Sequence, residues 1–196
     1  MSYRFALMFG IVGLLVLTAH GDNAVVKVGA NAPAFTAQDQ DGHNITLRES
    51  VGKIVVMEWY DPECDYTRRD IAAATSKTLF EKYKDKGVVW LAVNSTRDSS
   101  SERNKTWAAQ NHWTFSVLHD VNQAIAKAFG VSSVPYFAII DKNGSIAYLG
   151  VRDNDDSREG GKKEGKISYI DRALDEMIAG KSVSDRDARS YGCPLR

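Results

Sequence analysis

The stretch KIVVMEWYDPECDYTRRD, residues 53–70, decides the fold. Its first eight residues are almost continuously apolar, the pattern of a strand buried on both faces. Asp61-Pro62 breaks that run, and the residues from about 64 to 86 are helical in composition, so Cys64 falls at or beside the first turn of a helix. Unsatisfied backbone N–H groups and the partial positive charge at a helix start favour a thiolate, and such sites draw a cysteine from about 8.5 down to ~3.5–7.5. Cys64 is therefore read as an attacking thiolate. The bland alternative is a small buried hydrophobe.

Outward from this stretch, strand and helix alternate. Ahead of it, Asp41-Gly42 between two short alternating runs predicts a β-hairpin. After it, VVWLAVNS (88–95) repeats the buried-strand pattern, and SSSE opens a helix over 99–111. TFSVLHD (114–120) is a further strand, followed by a short helix over 121–130. PYFAIID (135–141) and SIAYLG (145–150) form a second hairpin through Asn143-Gly144. Proline cannot donate to a sheet ladder, so Pro135 begins its strand. Buried strands joined by helices require a mostly parallel sheet covered on both faces, with the hairpins as antiparallel edges. The expected fold class is α/β, a three-layer α/β/α sandwich with a mixed sheet and an N-terminal β-hairpin. Residues 152–166 hold ten charged residues and three glycines in fifteen, too little apolar surface to order itself, and read as a mobile loop. Ile167, Ile170, Leu174, Met177 and Ile178 mark one face of a last helix, before a polar tail over 183–196 that carries Cys193.

With 196 residues the chain makes one domain, expected over 22–182. Lys plus Arg (25) balance Asp plus Glu (25), which leaves no basic footprint for nucleic acid. Two cysteines make neither a disulfide-dense scaffold nor a four-thiolate zinc site. His43, His112 and His119 have no ligand spacing with a cysteine, so no metal and no cofactor is expected. Residues 1–21 place one cation, Arg4, before an apolar run and small residues at Ala19 and Gly21, the layout of a signal peptide. The run is about 15 residues, short of the ~20 that span a bilayer, so membrane attachment arises only through an uncleaved leader. The expected location is exported, periplasmic or extracellular, where two thiols persist as a disulfide or cycle through one.

Strand, break, Cys-helix, Val134-Pro135 before a late strand, an Asn-Gly hairpin and a terminal helix, in that order, resemble the thioredoxin fold. The segments AFTAQDQDGHNITLRESVGKIVVMEWYDPEC and LHDVNQAIAKAFGVSSVPYFAIIDKNGSIAY resemble its redoxin branch, the alkyl hydroperoxide reductase/thiol-specific antioxidant-like and exported thioredoxin-like proteins. The resemblance covers roughly residues 28–180. It implies that Cys64 matches the attacking cysteine of the family's C-x-x-C, that Pro135 is the cis-proline facing it, and that Glu58 matches the buried acid that accepts and returns protons. Glu58 otherwise reads as a pleat-exposed carboxylate. Trp59 and Tyr60 wall the thiol site against water or are simply core. A substrate chain would lie against Val134, pairing as an added strand.

The chain also departs from the pattern. Thr67 replaces the second cysteine of C-x-x-C, either as a hydrogen-bond donor to the Cys64 sulfur or as an ordinary helix residue. Asp61 stands where peroxiredoxins carry a threonine. Cys193 is then a resolving thiol, half of a structural bridge, or free. The leading expectation is an extracytoplasmic thiol-disulfide oxidoreductase, acting on protein or small-molecule disulfides with an external thiol reductant. A thiol peroxidase acting on peroxide and a redox-inactive binding module are the alternatives.

Overall fold

Around Asp41-Gly42 the chain turns back on itself, and β1 (Thr36–Gln38) pairs antiparallel with β2 (Asn44–Thr46). The apolar run that follows becomes β3 (Ile54–Tyr60), buried at every residue. The computed structural model describes residues 26–158, 165–188 and 191–196, so the leader read at 1–21 lies outside the described residues. Next come β4 (Val88–Asn94), β5 (Ser116–His119), β6 (Ser133–Val134), β7 (Tyr136–Ile140), β8 (Ile146–Gly150) and β9 (Cys193–Pro194). The main sheet has five strands in the order β5-β4-β3-β7-β8. Strands β3, β4 and β5 are parallel, and β7 and β8 return antiparallel on the other side of β3. The sheet is thus mixed, with β3 at its centre.

The first hairpin is a separate two-stranded sheet and not the sheet edge expected of it. Side chains dock it: Ser116 donates to Asp39 Oδ2 at 3.2 Å, and the Val117 N–H donates to Gln40 Oε1 at 2.6 Å. The helices are α1 (Asp65–Ala72), α2 (Thr75–Tyr83), α3 (Ser101–Gln110), α4 (Ala124–Ala128) and α5 (Tyr169–Ile178). Helices α1 and α2 occupy what the sequence reads as one helix, broken at Ala74, whose φ is +50°. Burial explains the break. Thr67 and Asp70 are buried on α1, Ser76, Leu79 and Tyr83 on α2. In one continuous helix, Tyr83 would lie about 160° round from Thr67.

Alternation along β3 divides the core in two. Ile54, Val56 and Tyr60 join Trp90, Tyr83, Phe137 and the apolar stripe of α5 on one face of the sheet. Val55, Met57 and Trp59 join Cys64, Phe129 and Val134 on the other, which α4 and residues 26–47 cover. No helix among the described residues is long and apolar enough to cross a membrane.

Charge density misreads the start of 152–166. Arg152, Asp153 and Asp155 are each at most 2% exposed. Arg152 Nη2 donates to Asp70 Oδ1 at 2.5 Å and to Asp153 Oδ2 at 3.0 Å, and Arg69 Nε donates to Asp70 Oδ1 at 2.9 Å. Arg69 also donates to the Asp155 and Ser157 carbonyls, and Lys166 lies 3.3 Å from Asp155. Each of these buried charges has an opposite partner at contact distance, which offsets the cost of taking it out of water. Residues 159–164 of that stretch lie outside the described residues.

Candidate active site

Cys64 is the N-cap of α1. Its backbone is still extended, while its carbonyl already accepts the first helical hydrogen bond, from the Arg68 N–H at 2.9 Å. The turn ahead of it is fixed by Asp61, whose carbonyl accepts from the Cys64 N–H at 3.0 Å and whose Oδ1 accepts from the Glu63 N–H at 2.8 Å. Because β7 runs antiparallel to β3, with Tyr136 opposite Trp59, the residues before β7 arrive beside the loop after β3. Cys64 Sγ therefore lies 3.5 Å from the carbonyl oxygen of Val134. The Val134–Pro135 bond is cis.

Cys64 and Cys193 form a disulfide, with Cα atoms 5.9 Å apart, so Cys193 is not a free thiol. The segment carrying Cys193 enters as a strand: β9 pairs antiparallel with β6, Cys193 opposite Val134 and Pro194 opposite Ser133. The Leu195 N–H extends the ladder, donating to Ser132 O at 2.9 Å. Arg196 Nη2 reaches Asp61 Oδ2 at 3.3 Å, and the Arg196 carbonyl accepts from the Arg97 N–H and from Gln123 Nε2, each at 3.2 Å. At the other end Tyr191 donates to Asp153 Oδ1 at 2.7 Å and lies against Tyr66, with the Arg69 guanidinium 5.6 Å from both rings. Beneath this strand Cys64 is 1% exposed, whereas Cys193 is partly exposed.

The structure brings together Cys64, Cys193, Val134, Pro135 and Trp59. Trp59 is fully buried in the same cluster as Cys64, its ring 5.2 Å from Phe129 and 6.3 Å from Tyr136. Tyr60 and Glu58 are not brought to the sulfur, because side chains alternate along a strand and both point into the opposite core layer. Tyr60 meets Trp107 and Trp113 there. Glu58 is buried, accepting from Ser76 at 2.6 Å and Trp90 at 2.8 Å, and desolvation raises its pKa to about 7 against those two hydrogen bonds. Thr67 is buried, and its hydroxyl has no hydrogen-bond partner among the described residues.

Sequence reasoning passes over Gly192, Arg196 and the ionic cluster around Arg152. The Gly and Pro flanking Cys193 in RSYGCPLR are the one available signal, since small and ring-closed neighbours suit a chain passing close to another backbone. Among the described residues no group of three or more His, Cys, Asp or Glu is placed to hold a metal ion.

Residues 28–149 match the AhpC/TSA family. The thiol-disulfide oxidoreductase ResA of Bacillus thuringiensis (strain Al Hakam) is 27% identical over 150 residues, covering 71% of this chain and 84% of that one. Among solved structures, an uncharacterized conserved protein from Geobacillus kaustophilus superimposes with a TM-score of 0.77 at 26% identity, over 88% of this chain and 93% of that one. The thioredoxin domain of a thiol-disulfide oxidoreductase from Bacteroides vulgatus gives 0.55 at 20% identity, over 63% of this chain and 88% of that one, a likeness of fold. The thioredoxin-like sandwich is therefore the architecture of this chain.

Proposed function

The chain belongs to the AhpC/TSA family, and on that premise we propose that it is a thiol-disulfide oxidoreductase working through Cys64 and Cys193. One observation carries the reading: the two sulfurs are bonded beside the cis Val134–Pro135 bond, on a helix N-cap, with the partner strand laid along Ser133–Val134.

The Cys64 thiolate attacks one sulfur of a client disulfide. A Cys64–client bond forms, the client S–S bond breaks, and one client thiolate leaves with the electron pair. The Cys193 thiolate then attacks Cys64 Sγ, releasing the second client thiolate and closing the Cys64–Cys193 bridge. Two equivalents of an external thiol return the pair to dithiol, themselves becoming a disulfide. The N–H groups of the first turn of α1 favour the Cys64 thiolate in the reduced state. Thr67 one turn on, Trp59 in the apolar cluster that holds Cys64, and the Val134 carbonyl 3.5 Å from the sulfur shape the site. Glu58, held by Ser76 and Trp90 in the opposite core layer, is given no proton-transfer role in this exchange.

The site operates in an oxidising compartment outside the cytoplasm. The leader-like residues 1–21 and a bridge closing most of the chain support that placement. A peroxidatic reading has less support, since the position of the family's threonine is filled by Asp61, held by the Glu63 N–H and Arg196.

Cys193→Ser protein offered disulfide clients is expected to accumulate mixed disulfides through Cys64, seen on non-reducing gels and by mass, and Cys64→Ser protein to accumulate none. If Cys193→Ser protein forms no adduct, and its Cys64 alkylates no faster than an unactivated thiol, the oxidoreductase reading gives way to a binding module.

A further inference from the structure

Within residues 191–196, β9 lies along Ser133–Val134 in the cleft beside Cys64, and the contacts of the segment describe what that cleft accepts. Three of those contacts depend on the identity of a residue. First, Gly192 has a φ of +140°, and a Cβ built on it would sit 2.2 Å from the Val134 carbonyl oxygen and 2.8 Å from its carbon. The residue before the bonded cysteine must therefore be glycine in this register, since the atoms a side chain would meet are the Val134–Pro135 backbone, which cannot yield as a flexible side chain would. Second, Leu195 packs into the apolar cluster that holds Cys64. Third, Asp61 is 2% exposed, and Arg196, three residues after the cysteine, is its cation.

The surroundings extend the charge preference. Asp61 also lines a polar cavity of about 420 Å³, whose wall carries Glu63, Asp98 and Glu102 against Arg103. Asp98 is paired with Arg103, which leaves the wall acidic. A chain running past the Arg196 position has room there and meets carboxylates.

Resting on the oxidoreductase reading, we infer that the cleft is the client-docking site and that residues 191–196 are its internal client. The external client is an extended peptide with glycine directly before its reactive cysteine and a basic residue three positions after it. Client and segment occupy one cleft in turn. Attack of Cys193 on the Cys64–client disulfide exchanges one strand for the other, so the bond that resolves the intermediate also expels the product.

The test uses Cys193→Ser protein, with Cys193→Ala as its duplicate should the serine variant not fold. Synthetic Tyr-Gly-Cys-Pro-Leu-Arg is supplied with its cysteine disulfide-linked to thionitrobenzoate. Attack of Cys64 on the peptide sulfur releases the coloured aryl thiolate, which gives a second-order rate constant. Alanine for the peptide glycine is expected to slow the reaction about tenfold or more, a loss of shape fit. Glutamate for the peptide arginine is expected to slow it about threefold at low salt, and less at high salt. Gly192→Ala in the same protein evicts the internal strand and is expected to raise the rate with the glycine peptide several-fold. Equal rates for all peptides, with Cys64 still reacting, overturn the docking pattern alone. If Cys64 reacts neither with the peptides nor with dithiobis-nitrobenzoate, the oxidoreductase reading falls and takes this one with it.

Discussion

Glu58 and Tyr60 teach the main lesson at the scale of single residues. Both lie within a few positions of Cys64 in sequence, yet both face the other core layer. Because every residue of β3 is buried, no polar-apolar alternation tells which side faces which helix, and parity alone was not enough to place them. Cys64 and Pro135 were legible for the opposite reason: each sits where a strand starts or stops, and chain breaks are visible in sequence. Glu58 also yields a pH prediction. Its folded pKa, about 7, lies above the ordinary value of 4.5, so the folded chain holds a proton that the unfolded chain has already lost. Stability is expected to fall as pH rises from about 4.5 to 7, by an amount on the order of 3 kcal/mol, and then to level off. Glu58→Gln should flatten that fall, so urea midpoints of variant and parent diverge more at pH 8 than at pH 5. Parallel curves for the two proteins would count against an uncharged Glu58 in the fold.

At the scale of elements, the α1–α2 break and the buried ionic cluster were hidden from the sequence, as was the separation of the first hairpin from the main sheet. Residues 72–74 are all alanine, the best helix former, and nothing local announces that the chain must re-phase there. The cause is tertiary: Thr67 and Asp70 on one side, Ser76 and Tyr83 on the other, all demand the core. Ala74, at φ +50°, carries a left-handed penalty of about 1 kcal/mol that glycine lacks. Ala74→Gly is expected to raise the thermal midpoint by a few degrees, and a lowered midpoint would show that the break is not strained. The cluster has the same character, since charge density in 152–155 reads as solvated until Arg69 and Asp70 are known to meet it. Asp70 accepts from both Arg69 and Arg152 through one oxygen, so Asp70→Asn leaves a buried guanidinium short of charge. A loss of about 3 kcal/mol in urea unfolding is expected.

On the scale of the whole molecule, the order of strands and helices was readable, because buried runs and helical stretches alternate and turns are marked by Asp-Gly and Asn-Gly. The routes of residues 183–188 and 191–196 were not. They depend on Gly150 passing close to Ala188, and on the Leu149 N–H donating to Arg186 O and the Leu149 carbonyl accepting from the Ala188 N–H, long-range contacts with no local pattern. The bridge spans 129 positions, and in the loop-closure description its reduction removes about 5 kcal/mol from stability. Reduced protein, and the Cys64→Ser, Cys193→Ser double variant alike, should unfold at lower urea than oxidised protein by a matching amount. The segment at 191–196 also has a consequence for traffic through the site. A competitor covalently tethered beside its own binding groove acts at an effective concentration in the millimolar range, however dilute the protein. On the docking proposal, a visiting peptide gains the groove only where its concentration divided by its own dissociation constant exceeds the same ratio for the tethered segment, so the better the segment fits, the fewer visitors enter.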